Sequence, residues 1–115
     1  MKFLLVEDNQ DLANAIVSRM EMSGHVIDHA RKLEDATVFV ATGEYDLILL
    51  DIRMPDMDGI TLLKQIHAQY PATNVIMITG YPSIDSAVHC TKLGALDYLV
   101  KPFRLDDLEA ALQKT

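Results

Sequence analysis

The chain has 115 residues, half of them apolar and 23% charged, with a formal net charge of −7; that is one domain's worth of chain, expected to span residues 1–115 and to bury a core without staples. No apolar run approaches the ~20 residues of a membrane span, Met1–Asp8 lacks the longer apolar stretch and cleavage site of a signal peptide, and so acidic a chain offers nucleic acid no basic face for direct binding. Cys90 is the single cysteine and forms no internal disulfide, so a reducing cytoplasm is the expected compartment.

Short apolar runs alternate with amphipathic stretches. Phe3–Val6 is continuous and apolar, and it ends at Glu7-Asp8. Leu12, Ile16 and Met20 then recur at helical spacing, with Gly24 suited to the helix end. His25–Ala30 mixes polar and apolar residues as an edge strand does, and Leu33, Ala36 and Val40 mark a second helix before Gly43. Leu47–Leu50 is the most apolar run, with Asp51 directly after it. Leu62, Leu63, Ile66 and Tyr70 form a third helix stopped by Pro71. Val75–Ile78 leads into Thr79-Gly80, and Ile84, Ala87, Val88 and Thr91 form a fourth helix before Gly94. Asp97–Val100 ends at Lys101-Pro102, and Leu105, Leu108 and Leu112 begin a fifth helix. Five strand–helix pairs with continuous apolar strands imply an α/β, doubly wound parallel sheet covered on both faces.

In such a sheet, ligands bind beyond the carboxyl ends of the strands. Those ends carry Glu7 and Asp8, then Asp51, then Thr79, then Lys101. Three carboxylates in one cleft repel each other and favour a divalent cation, and an all-oxygen donor set suits Mg²⁺ or Mn²⁺. Any one of these acids alone could merely cap a helix, as Asp8 or Asn9 could for the first. Lys101 alone could be a surface charge. Together they suit a metal-bound phosphate: Lys101 supplies counter-charge, Thr79 a hydroxyl and Gly80 an unobstructed N–H. Asp51 is then the candidate nucleophile, forming an aspartyl phosphate.

Four stretches carry a resemblance: Leu4–Asn9, Asp46–Gly59 (including Pro55, Asp56 and Met57), Met77–Tyr81, and Gly94–Phe103. Over its whole length the chain resembles the receiver domain of bacterial response regulators, the CheY-like superfamily of two-component systems. The resemblance implies a flavodoxin-like fold with strand order 2-1-3-4-5. It implies phosphorylation of Asp51 by a sensor histidine kinase, with Mg²⁺ held by Glu7, Asp8, Asp51 and the backbone carbonyl of Arg53. It makes Thr79 the switch hydroxyl, Tyr98 the aromatic switch, Lys101 the phosphate-binding lysine and Lys101-Pro102 a cis peptide. It also implies that phosphorylation remodels the face of the fourth helix, last strand and fifth helix. That face would pair with a second copy or control an output domain, through which DNA could be contacted.

Competing readings fail on particular residues. An EF-hand loop needs an acid where Met54 stands and Glu where Gln65 stands. A flavodoxin's first loop cradles phosphate with hydroxyls, and Glu7–Asp11 would repel one. A haloacid-dehalogenase-like phosphatase, the runner-up, needs a second aspartate where Arg53 stands. His25, His29, His67 and His89 make no spaced metal pair and are expected to be structural. Cys90 is expected in or beside the core, and the six methionines as core filling. Gly59 fits a tight turn after Asp51. Arg53 and Tyr81, each two residues past a site residue, flank the phosphoryl position in the family and bear on its lifetime.

Overall fold

Each apolar run is a strand and each amphipathic stretch a helix in the computed structural model, which describes residues 1–54 and 58–114. In chain order the elements are β1 (Lys2–Val6), α1 (Gln10–Met22), β2 (Val26–Ala30), α2 (Leu33–Thr42), β3 (Leu47–Asp51), α3 (Gly59–Gln69), β4 (Asn74–Thr79), α4 (Ile84–Lys92), β5 (Asp97–Val100) and α5 (Leu105–Leu112). The sheet runs β2-β1-β3-β4-β5, every neighbouring pair parallel, which is the expected doubly wound, flavodoxin-like order.

Period-two alternation divides the strands between two cores. Leu4, Val6, Ile48, Leu50, Val75 and Met77 face Leu33 and Val40 of α2, Leu63 and Ile66 of α3 and Cys90 of α4. Phe3, Leu5, Leu47, Leu49, Ile76 and Ile78 face Ile16 and Met20 of α1 and Leu108 and Leu112 of α5. The central strand β3 is buried at every position, as a parallel strand covered on both faces must be. Truncating one of its leucines to alanine removes packing worth about 2–5 kcal/mol. Among the methionines, Met20 and Met77 are core residues, but Met1 and Met22 are exposed, so core filling does not account for the whole set.

The loops at the carboxyl end of the sheet are set by local chemistry. Asn9 caps α1 by accepting from Leu12 N at 3.0 Å, and Ser83 caps α4 by accepting from Ser86 N at 3.0 Å. At the opposite end α3 stops at Gln69, since Tyr70 precedes Pro71 and is drawn out of the helical region. Gly24 and Gly94 adopt φ of +86° and +99°, the left-handed turns their glycines permit.

Gly59 has a different role from the turn expected of it. It is the first residue of α3, and a Cβ there would lie 2.3 Å from the Asp51 carbonyl oxygen. A side chain is excluded by the approach of α3 to the end of β3, not by a turn. Pro55, Asp56 and Met57, part of the stretch that carries the resemblance, lie outside the described residues.

Candidate functional site

The sheet ladders continue one residue past the strands and so fix the site's frame. Glu7 N donates to Ala30 O at 3.1 Å, Ile52 N to Ile78 O at 2.9 Å and Lys101 N to Thr79 O at 2.7 Å. Glu7, Asp51 and Thr79 are 0%, 4% and 1% exposed and are the buried polar side chains among the described residues. Buried carboxylates need partners, and here they have them. Lys101 Nζ, from beyond β5, donates to Asp51 Oδ2 at 2.9 Å and lies 2.5 Å from Glu7 Oε1. Glu7 Oε2 accepts from Asn9 N at 3.1 Å, and Asp51 Oδ1 accepts from Arg53 N at 3.1 Å. His29 Nε2–H donates to the Glu7 carbonyl at 2.7 Å, a structural task of the kind expected of the histidines.

Glu7, Asp8 and Asp51 each bring a carboxylate oxygen to a common point, all within 4.8 Å of one another. Glu7 and Asp51 are buried, while Asp8 lies at the open mouth. The donor set fits a hard divalent cation, being all oxygen and threefold negative against one ammonium. One buried oxygen supports the fit. Glu7 Oε1 has Lys101 beside it as a charge but accepts no well-directed hydrogen bond. Burial pushes the Asp8 carboxyl up from its ordinary value, and the hydrogen bond and charge of Glu7 add to it; a backbone hydrogen bond and Lys101 oppose. For Lys101, burial pulls the ammonium down, but its hydrogen bond to Asp51 and the charges of Glu7 and Asp51 outweigh it and raise it overall.

The remaining expected residues are distributed around this centre. Thr79 ends β4, and its Oγ1 accepts from Tyr81 N at 3.0 Å. A Cβ on Gly80 would meet Lys101 at an ordinary 3.9 Å, so no close approach demands glycine there. The group of Arg53 with a described contact to Asp51 is its N–H; its guanidinium stacks on the Tyr81 ring, Cζ 4.3 Å from the centroid. Lys101-Pro102 is cis. Tyr98 sits on β5 opposite Met77, and its hydroxyl is on Ser86 of α4. The sequence reading did not single out Asn9 as a support for Glu7, or Ser86. A cap-type residue directly after two acids was a usable signal for Asn9; nothing local signalled Ser86.

Comparison with known proteins gives the same picture over nearly the whole chain. Residues 3–113 match the family described as Response regulator receiver domain. The chain is 39% identical, over 96% of its length, to the transcriptional regulatory protein ZraR of Escherichia coli K12, and spans 25% of that protein. Its fold superposes on a CheY-like receiver domain from Methanospirillum hungatei with a TM-score of 0.94 at 28% identity, covering 98% of this chain and 90% of that one. A response regulator from Burkholderia pseudomallei, solved with a phosphorylated aspartic acid and a calcium ion, matches at TM-score 0.91 and 28% identity, over 97% of this chain and 66% of that one. The match over residues 3–113 and the shared fold show the family: the chain belongs to the response regulator receiver domains of two-component signalling.

Proposed function

We propose that Asp51 accepts a phosphoryl group from a sensor histidine kinase, and that the resulting charge switches the face made by α4, β5 and α5. The observation that carries this is the setting of the Asp51 carboxylate. It is buried at the carboxyl end of β3, its Oδ2 is 2.9 Å from Lys101 Nζ, and Glu7 and Asp8 share its cation-binding point. Glu7, Asp8 and Asp51 would hold Mg²⁺ or Mn²⁺, with the Arg53 carbonyl a further candidate ligand. A divalent cation there supplies positive charge against the phosphoryl oxygens.

The side chains do the rest. The incoming phosphorus bonds to an Asp51 oxygen as its bond to the donor's imidazole nitrogen breaks, and that nitrogen keeps the electron pair. Phosphoryl transfer asks for positioning and charge stabilisation and little covalent help. Arg53 N–H orients Asp51 from one oxygen, and Lys101 stands at the other. When phosphorus occupies Asp51, Lys101 moves its hydrogen bond from the carboxylate to the phosphoryl oxygens. Thr79 and the Gly80 N–H supply donors from the end of β4. The product adds about two negative charges at pH 7, and Thr79 leaves its bond to Tyr81 N to meet them. Tyr98 then takes up the space vacated, a population shift within one fold.

The same face offers exposed Ile84, Val88 and Val100, to which a second copy or an output domain would bind. Because relatives such as ZraR are transcriptional regulators of which this chain covers a quarter, control of transcription through such a domain, in the cytoplasm, is the expected output. No helix among the described residues is long and apolar enough to cross a membrane. No observation favours the phosphatase reading, since Arg53 stands where its acid/base aspartate would be and stacks on Tyr81.

The test is incubation with Mg²⁺ and acetyl phosphate, followed by intact-mass measurement. The expected result is a gain of one phosphoryl group that Asp51→Asn abolishes and chelation of Mg²⁺ suppresses. A gain that survives in Asp51→Asn would place the acceptor elsewhere.

A further inference from the structure

The Tyr98 hydroxyl has a defined partner. It donates to Ser86 Oγ at 3.2 Å, across 12 residues of sequence, from the middle of β5 to the first turn of α4. Both side chains are half-buried, so water competes only in part for this bond. Ser86 is itself firmly placed: its N–H donates to Ser83 Oγ, and Ser83 is the cap of α4. One turn further along α4 lies the fully buried Cys90. Burial pushes the Cys90 thiol up from its ordinary value, the Asp58 charge adds to this, and a hydrogen bond from Ser86 opposes it. A serine hydroxyl has one proton to give and lone pairs to accept with. The Ser86 oxygen thus accepts the phenol's hydrogen bond with a lone pair.

The chain between Thr79 and Ser86 is short. Thr79 Oγ1 holds Tyr81 N, and two residues later Ser83 caps α4. Any movement of Thr79 toward Asp51 therefore pulls on the turn that carries Ser86. Tyr98, on the strand paired with β4, cannot leave its present position without losing Ser86.

We propose that Ser86 is a positioning residue that latches Tyr98 to α4 and thereby sets how far the unphosphorylated protein already populates the switched arrangement. This rests on the reading of Asp51 and Tyr98 given above, and it adds the element that opposes the switch. A ligand shifts such an equilibrium only by its differential affinity for the two states. Weakening the latch thus lets a given phosphoryl group, or its mimic, shift the population further.

The test uses the whole chain, with Tyr98 ring resonances read by NMR, first alone and then in a titration with beryllofluoride and Mg²⁺. In the free protein, Ser86→Ala is expected to move the Tyr98 ring signals part of the way toward those of beryllofluoride-bound wild type. It is also expected to lower the half-saturating beryllofluoride concentration about fivefold, the ratio a typical net hydrogen bond supplies. Ser86→Thr, which keeps the hydroxyl, stays at the wild-type position. Tyr98→Phe lowers the midpoint like Ser86→Ala, and the double variant lowers it no further, since both remove one bond.

Unchanged Tyr98 signals and midpoint in Ser86→Ala overturn the latch. So does a Ser86→Ala effect that persists undiminished when Tyr98 is already phenylalanine. Wild-type protein that takes up neither acetyl phosphate nor beryllofluoride overturns the reading of Asp51 instead. In that case the free-state Tyr98 signals alone decide the latch, and their failure to move in Ser86→Ala refutes it.

Discussion

Gly59 packs so closely on the Asp51 carbonyl oxygen that one added methyl group would decide the geometry of the proposed acceptor. Alanine is the better helix former by roughly 0.5–1 kcal/mol, and Gly59 is helical with no left-handed φ. Propensity alone therefore favours Gly59→Ala. The 2.3 Å approach to backbone opposes it, and a main-chain oxygen cannot rotate aside. Overpacking of this kind costs about 1–3 kcal/mol, so the expected net result is a lower urea midpoint and slower uptake of phosphoryl from acetyl phosphate. A variant as stable as wild type would show that α3 can slide away from β3 freely. The Arg53–Tyr81 stack leads to a second expectation at this scale. Removing the ring with Tyr81→Ala frees the Arg53 guanidinium and opens the approach to Asp51. Loss of phosphoryl from the modified protein, followed by intact mass over time, is then expected to quicken; an unchanged lifetime would show that the stack does not screen water. Residues such as Glu7, Asp51 and Lys101 were legible in sequence because each directly follows an apolar run, which puts it at a strand end. The reason for Gly59 was not, because a glycine signals only that a side chain is excluded, not which neighbour excludes it.

Between elements, the helix faces were readable from periodicity and the strand order from the family resemblance, whereas polar partners distant in sequence were not. Arg19 of α1 reaches α5, giving Nε and Nη2 to the Glu109 carboxylate at 2.8 and 3.0 Å and Nη2 to Asp106 at 2.8 Å. Nothing in either helix's pattern names the other as partner, since any exposed arginine and any exposed glutamate look alike in sequence. The hydrogen bond from Arg19 holds the Glu109 carboxyl below its ordinary value, and burial opposes it. A carboxyl depressed in the folded state adds stability above its unfolded pKa, and this is lost as pH falls through the folded value. The expectation follows that Glu109→Gln melts below wild type at neutral pH, and that the gap closes as acid protonates Glu109 in the folded protein. The gap is expected to be small because the pair is solvated, and it should shrink with added salt. A gap that widens in acid would show that Glu109 contributes by packing and not by charge. The tie also bears on the proposed switch, because α5 forms one side of the face proposed to respond to Tyr98.

For the molecule as a whole, stability and the proposed metal binding make opposite demands on Asp8. Its carboxyl is raised above its ordinary value by burial first, and by Glu7 next. An acid raised in the folded state holds its proton more tightly there than in the unfolded chain. It therefore costs stability above the folded-state value, and the cost disappears as pH falls through that value. Lys101 offsets part of this, but one ammonium faces three carboxylates. Asp8→Asn is therefore expected to raise the melting temperature of the metal-free protein at neutral pH. A cation that binds only the folded state reverses the ranking: at ten times its dissociation constant it stabilises by about 1.4 kcal/mol. Wild type should gain that increment as Mg²⁺ is titrated in, while Asp8→Asn gains little, so that the two stability curves cross. Calorimetric melts with EDTA and with rising Mg²⁺ measure both effects at once. If Asp8→Asn is less stable than wild type with EDTA present, Asp8 is held by favourable contacts and not strained by its neighbours. If it responds to Mg²⁺ as fully as wild type, the cation is bound without Asp8. Crossing curves would instead mean that the fold keeps a carboxylate it would be more stable without, and that the retained strain is what draws the cation to Asp51.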